Sequence, residues 1–306
     1  MFPPEFDYVR PETVADALAA LADGDAVPLA GGHSLVPDLK ARRRAPGTLV
    51  DLGALKELRG VDHVDDELVV GACTTYADLL AADPAGVDVL TEATRAVGDR
   101  QIRNCGTVGG NLAAADPRGD LPAAALAGAA TLELRDPDGS RTVPAAEFCE
   151  GDGETACADD ELVTQVRLST APTSEAGADV GGAYAKKTHP AEGYAAVGVA
   201  ARVELSGETI SAASVAVNGV FESARRMGDV EQALDGVEAD TVLADESVVD
   251  DAVQAFLDPV APSDIRADHL VSGAYRRRLL PAYTRRALTR AIRRARGESV
   301  DGEVVA

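Results

Sequence analysis

Apolar positions in the first half of the chain switch repeatedly between a period of two and a period near 3.6, which predicts strands alternating with helices. In "FDYVRPETVADALAALADG" a short strand gives way at Pro11 and Thr13 to a helix with Val14, Leu18 and Leu21 on one face, ended by Gly24. "AVPLAGG" is a strand that runs into two glycines, and "GTLVDLGAL" is another, stopped by Asp51 and Gly53. "DELVVGACTTYADLLAA" predicts strand, turn and then a helix capped by Thr74 or Thr75, and "VDVLTEATRAVG" predicts a further helix. After a second glycine cluster and an Asp-Pro turn come an Ala-rich helix and a strand. "DPDGSRTVPAAEF" predicts a hairpin turning at "PDG", and "DELVTQVRL" closes this half as a strand.

"STAPTSEAGADVGG", Ser169 to Gly182, is small, polar and punctuated by Pro and Gly, as a linker is. Beyond it the pattern changes. "YAAVGVAARVEL" and "TISAASVAVNGV" predict two long neighbouring strands turning at "GE" within Ser206 to Glu208. Helices follow in "VEQALDG", "DAVQAFL" and "GAYRRRLLPAYTRRALTRAIRRARG", the last expected to be interrupted at Pro281. The tail past Gly297 is expected to fray. The expected organisation is therefore an N-terminal domain over 1–170, with subdomains of about 1–56 and 57–170, a linker over 171–182, a second domain over 183–297 and a tail over 298–306.

Composition narrows the function. The 306 residues are 46% hydrophobic but 4% aromatic with no Trp, so the core must be built mainly from Ala, Val and Leu. A net charge of −22 excludes nonspecific nucleic-acid binding, which needs a cationic field. Lys40, Lys56, Lys186 and Lys187 are the only lysines, and Arg carries the remaining positive charge. An acidic, Lys-poor surface is the expectation for a cytoplasm of very high salt, where screening relieves self-repulsion. The unfolding midpoint is therefore expected to rise between low and molar KCl; a midpoint that stays level or falls refutes that halophilic character. Cys73, Cys105, Cys149 and Cys157 have no zinc or iron–sulfur spacing and are expected to be isolated core thiols. With neither a transmembrane-length apolar run nor a signal sequence, the expected location is cytoplasmic.

The chemistry concentrates in two glycine clusters. In "AGGHSL", Gly31 and Gly32 free the backbone for a close approach, successive N–H groups can form an anion-binding concavity, and His33 and Ser34 add donors. Alone, the stretch is better explained by a plain turn. "GTVGGN", Gly106 to Asn111, offers a second loop of the same kind, with the Thr107 hydroxyl beside Gly109 and Gly110. "ADPRGDLP" places Asp116 and Asp120 around a proline turn. Asp120 is either the N-cap of the next helix or, like Asp116, a carboxylate that accepts from a ribose or ribityl hydroxyl. Two such clusters in one domain favour a phosphate-bearing cofactor.

Competing motifs fail. "GDGETA", Gly151 to Ala156, spells a dinucleotide fingerprint, but its acidic surroundings would repel a pyrophosphate and it lacks a strand-to-helix context. His63, His189 and His269 have no ligand-spaced partners, so no metal site is expected. No hydrolase motif occurs. Lys186 and Lys187, placed just before a strand, are equally suited to meeting an anionic ring or to solvation beside Glu192.

At these residues the chain resembles the flavin-binding medium subunit of the molybdenum hydroxylases, the family of aerobic carbon monoxide dehydrogenase and xanthine dehydrogenase. The resemblance is carried by "AGGHSLVPDLK", by "QIRNCGTVGGNLAAADPRGDLPAAAL" from Gln101 to Leu126, by "GDGETACADDELVTQVRL" and by "YAKKTHPAEGYAAVGVAA", in order along the whole chain. It implies an α+β fold: a vanillyl-alcohol-oxidase-like (PCMH-type) FAD-binding domain of two subdomains, plus a C-terminal domain of antiparallel sheet and helices. The implied cofactor is noncovalent FAD. Leu29, Ala30, Gly31, Gly32, His33, Ser34 and Leu35 would wrap its pyrophosphate, and Thr107, Val108, Gly109, Gly110 and Asn111 would continue that cradle. Asp116 and Asp120 would hold polar parts of the cofactor, Val97 and Val163 would pack near it, and Lys186 and Tyr194 would approach the flavin from the second domain.

The resemblance further implies an electron-transfer role with no catalytic residue of the chain's own. Electrons would come from [2Fe–2S] clusters of a small subunit, fed by a large subunit with a molybdenum cofactor, and FAD would pass them to an external acceptor. The implied assembly is a dimer of heterotrimers. Two alternatives stay open: a stand-alone FAD-dependent oxidoreductase of the same superfamily, and a nonredox scaffold that keeps the fold without flavin.

Overall fold

A computed structural model describes residues 2–22, 24–151, 153–174 and 177–300. The chain opens with β1 (Asp7–Val9), α1 (Val14–Leu21), β2 (Ala26–Leu29), α2 (Leu35–Ala41) and β3 (Thr48–Asp51), which form a parallel sheet in the order β1-β3-β2 flanked by its helices. Thr13 starts α1 by accepting from the Asp16 N–H at 3.1 Å, and Val14, Ala17, Leu18 and Leu21 are buried, so the sequence's apolar face is the packed face.

The second subdomain contains β4 (Val61–Val64), β5 (Glu67–Gly71), α3 (Tyr76–Ala82), α4 (Asp88–Ala96), α5 (Arg100–Arg103), α6 (Val108–Ala113) and α7 (Asp120–Ala127). It continues through β6 (Thr131–Arg135), β7 (Ser140–Pro144), α8 (Ala145–Phe148), β8 (Cys149–Gly151), β9 (Glu154–Thr155) and β10 (Leu162–Ser169). Its main sheet runs β4-β5-β10-β6-β7, antiparallel throughout. Every residue of α7 is buried, as an Ala-rich helix covered on all sides must be. Thr75, accepting from the Asp78 N–H, is the cap of α3.

The C-terminal domain is an antiparallel meander of β11 (Asp179–Thr188), β12 (Ala195–Ser206), β13 (Thr209–Asn218) and β14 (Arg225–Arg226). It is covered by α9 (Gly228–Leu234), α10 (Ala239–Ala244), α11 (Glu246–Leu257) and α12 (Gly273–Ala295). The α+β architecture is the one the resemblance implies. One hydrophobic core joins the two domains, since Tyr184, Ala200 and Ala216 belong to the same cluster as Leu68, Leu132 and Val166.

Several expectations are corrected. Strand β11 begins at Asp179, inside the expected linker, and Lys186 and Lys187 lie within that strand, not before it. Residues 175 and 176 of the linker fall outside the described residues, but Thr173 and Ser174 are tied down, their N–H groups donating to Glu204 at 2.8 and 2.7 Å. Pro281 does not interrupt α12. A proline inside a helix costs about 3 kcal/mol through its missing hydrogen bond and its ring clash together, which is offset by the burial of Leu280, Leu288 and Ile292 beside it. "GTVGGN" is not an open loop, because α6 begins at Val108. Of the cysteines only Cys73 is buried; Cys105 is exposed and the other two are half-buried. "GDGETA" lies in the β8–β9 hairpin, with its Asp152 outside the described residues. Of the tail, residues 301–306 are likewise outside them.

Candidate functional site

The first glycine cluster connects β2 to α2. Gly32 has φ +71°, a left-handed turn that glycine enters without Cβ strain. His33 Nδ1 lies 2.9 Å from the Gly31 carbonyl, so this nitrogen carries the proton and donates it. Among the described residues nothing accepts from the N–H groups of Gly32, His33 and Ser34. Three successive open donors at a left-handed turn have the form of a concavity that can receive an anion.

The second cluster packs directly behind the first. A Cβ on Gly31 would overlap the Cys105 carbonyl oxygen, and one on Gly110 would lie 3.4 Å from Ala30 Cβ. Most of the cluster's own backbone donors are already used. The N–H of Val108 donates to Thr74 O at 3.1 Å, that of Gly109 to Ala72 O at 2.9 Å, and that of Gly110 to the Thr107 hydroxyl at 3.2 Å. Thr107 is thus a helix cap, and Gly109 is glycine because a Cβ would strike Ala72. What this cluster leaves open is Asn111 Oδ1, which is buried with no partner. An unpaired buried acceptor costs about 1–3 kcal/mol and is the kind of group that a ligand satisfies.

A cleft of about 340 Å³ opens beside the first loop, lined among others by Ser34, Asp38, Asp116, Arg118, Glu222 and Arg266. Asp116 wraps the residue two positions on: Arg118 donates to it through its backbone N–H at 2.9 Å, Nε at 3.0 Å and Nη2 at 2.8 Å. Burial opposes ionisation of Asp116, but the Arg118 hydrogen bonds outweigh it and hold the carboxyl below its ordinary range. Arg118 also pairs with Glu192 and stacks 4.5 Å over the Tyr194 ring. The 116–119 turn is clamped from the C-terminal domain, where Gly219 N donates to Pro117 O at 2.7 Å, Ala195 N to Arg118 O at 3.2 Å and Asn218 Nδ2 to Gly119 O at 2.7 Å.

Asp120 is not the N-cap of α7. Gly119 holds that place and Asp120 is the first helical residue, its side chain drawn inward. Lys186 Nζ donates to Asp120 Oδ2 at 2.7 Å and to the carbonyl of Ala96, the last residue of α4, at 3.1 Å. Tyr184 Oη lies 2.6 Å from Asp120 Oδ1 and 3.0 Å from Asn218 Oδ1. The Lys186 side chain, 6% exposed, is therefore buried in a domain-bridging contact with Asp120. Val97 follows Ala96 and packs against the same hydrophobic cluster that contains Val163.

Sequence reasoning missed Arg118, Tyr184, Asn218, Glu222 and Arg266. Tyr184 had a usable signal, since it precedes Lys186 by two and shares its face once the segment is a strand. Of the histidines, His189 is buried with Nε2 on Asp268 at 3.2 Å. Among the described residues no three His, Cys, Asp or Glu side chains converge as a metal site, and no helix is long and apolar enough to cross a membrane.

Residues 4–170 match the family model of the FAD binding domain in molybdopterin dehydrogenase, and residues 182–291 match that of the CO dehydrogenase flavoprotein C-terminal domain. The chain is 37% identical over 290 residues to the glyceraldehyde dehydrogenase medium chain of Sulfolobus acidocaldarius, covering 94% of this chain and 98% of that one. It is 34% identical over 300 residues to the carbon monoxide dehydrogenase medium chain of Afipia carboxidovorans, covering 97% and 100%. Its structure superimposes on a chain of the crystal structure of Cu,Mo-CO dehydrogenase in its cyanide-inactivated form with a TM-score of 0.87 at 34% identity, covering 96% and 100%.

Proposed function

The chain belongs to the FAD-binding medium subunits of the molybdenum hydroxylases and is an FAD-dependent oxidoreductase subunit, and from that membership we propose that it is the electron-transfer subunit of such a complex. The observation that carries the reading is the set of open N–H groups at Gly32, His33 and Ser34, backed by the orphaned Asn111 acceptor and bordering the cleft. These residues fit FAD, which is an anionic pyrophosphate joined to a hydroxyl-rich ribityl chain and a polar ring.

In this reading Leu29 to Leu35 hold the pyrophosphate through backbone donors, whose fixed dipoles need no reorganisation. Thr107, Val108, Gly109 and Gly110 set the position of that loop from behind, and Asn111 supplies an acceptor. Asp116, kept ionised by Arg118, accepts from a cofactor hydroxyl. Tyr194, stacked under Arg118, and the Asp120–Lys186 pair bound the ring's end of the site, with Val97 and Val163 as apolar backing. FAD, when bound, supplies the redox chemistry; the chain binds it, orients it and excludes water.

In the proposed complex, a cytoplasmic dimer of heterotrimers, [2Fe–2S] clusters of a small subunit would supply the electrons, drawn from a large subunit with the molybdenum cofactor. Copurification from the native host tests the assembly. Removing FAD from the intact complex is expected to abolish reduction of the external acceptor while substrate still reduces the iron–sulfur clusters. Acceptor reduction at full rate without FAD overturns the reading.

A further inference from the structure

Asp120, Tyr184 and Asn218 form a buried chain of three oxygens whose protons can be counted. Asn218 Nδ2 faces two backbone carbonyls, Gly119 O at 2.7 Å and Arg118 O at 3.4 Å, and carbonyls only accept. The amide oxygen of Asn218 therefore points the other way, at Tyr184 Oη, 3.0 Å off. On its far side Tyr184 Oη meets Asp120 Oδ1 at 2.6 Å. For both contacts to be full hydrogen bonds two protons are needed, and the tyrosine hydroxyl has one. If it donates to Asn218, the 2.6 Å contact needs a second proton, and Asp120 is the remaining source.

We propose that Asp120 carries a proton in the folded protein, and that Tyr184 and Asn218 are the positioning residues that keep it there. The site is built for this. Gly198 of β12, opposite both Lys186 and Asn218 in the sheet, is glycine because a Cβ would overlap Tyr184 Oη and Asn218 Oδ1. Asp120 is 3% exposed, and Asp116 lies close enough to disfavour a second negative charge; burial, first, and Asp116 raise the Asp120 carboxyl against the opposing pull of Lys186 and Tyr184. The N-terminus of α7 also favours the ionised form. Lys186 does not depend on an anionic Asp120, because its ammonium also caps the C-terminal carbonyl of α4, where the helix dipole is negative. With Asp120 neutral, the cluster carries a net positive charge from Lys186. That this charge faces the flavin rests on the function proposed above; the proton count does not.

Infrared spectroscopy of the full chain at neutral pH, with and without FAD, tests the proposal. The expected result is a protonated-carboxyl C=O band that shifts in D2O, moves in Tyr184→Phe and disappears in Asp120→Asn. The asparagine is an isostere of the protonated acid, so its melting temperature is expected to stay within roughly 3 °C of wild type. Absence of the band, or its survival in Asp120→Asn, overturns the proposal. So does a fall of roughly 10 °C in Asp120→Asn, or failure of that variant to fold, because either means that Lys186 has lost a true anion. Loss of FAD with the band intact would count against the functional reading and leave the proton in place.

Discussion

A Gly31→Ala chain is expected to fold and yet to bind FAD about a hundredfold more weakly than wild type, a loss of about 2.7 kcal/mol. The added Cβ would overlap the Cys105 carbonyl oxygen and lie 2.8 Å from Gly106 Cα. Both are backbone atoms, so no side chain can rotate away, and the two glycine clusters must separate. Overpacking of this kind costs about 1–3 kcal/mol, and here it moves the open donors of Gly32, His33 and Ser34 away from one another's focus. Gly32→Ala is the informative contrast. Its φ of +71° puts an alanine under strain of roughly 1–2 kcal/mol, but the nearest atoms to its Cβ belong to the Val36 and Leu29 side chains at 3.1 and 3.3 Å, which can yield. It should weaken FAD by about tenfold. Fluorescence titration of the apoprotein with FAD, beside thermal melts, measures both. Wild-type affinity in Gly31→Ala would mean that the loops do not need their close approach.

Glu92→Ala is expected to cost the largest share of stability, about 3 kcal/mol, the low end for leaving a buried ion-pair partner uncompensated. Glu92 on α4 receives Arg290 and Arg294 of α12 and accepts from Tyr184 N at 2.7 Å. Its side chain is 12% exposed and those of the two arginines about 20%, which is why the low end applies. Urea unfolding measures it, with Glu298→Gln as the control. The Arg293–Glu298 pair is about half exposed on both sides, so that change should stay within about 0.5 kcal/mol. Equal midpoints for the two variants would show that the Glu92 network contributes no more than a surface pair.

What could be read in the sequence was what short range controls. Thr13 and the spacing of Val14, Leu18 and Leu21 define α1, the "DPDG" turn joins β6 to β7, and the Gly207 turn joins β12 to β13. Strand β11 was hidden because "DVGG" resembles a turn. Its glycines serve another end: a Cβ on Gly181 would overlap the Ala291 carbonyl of α12, and one on Gly182 would lie 2.9 Å from Val89 N of α4. They are sites where another backbone presses close, not places where the chain bends. Pro281 misled for a related reason, since long-range packing overrides a local penalty. At the site, the glycine motifs could be read and their division of labour could not. That Gly109 packs and Gly32 opens depends on Ala72 and on a dihedral angle. The Asp120–Tyr184–Asn218 chain joins positions 64 and 34 residues apart and leaves no local trace.

The clamp on the 116–119 turn has a consequence for recombination. In covalent order the turn belongs to the N-terminal half, but its carbonyls are met by Ala195, Asn218 and Gly219 of the other half. A chimera spliced near residue 175 would cut where sequence invites it and still divide one working part between two parents. Exchange of the C-terminal half with a homologue should succeed only when the donor brings compatible residues at 195, 218 and 219, or when residues 116–119 travel with it. The inheritable unit is thus discontinuous in sequence, and its seam lies well away from the most obvious joint in the chain.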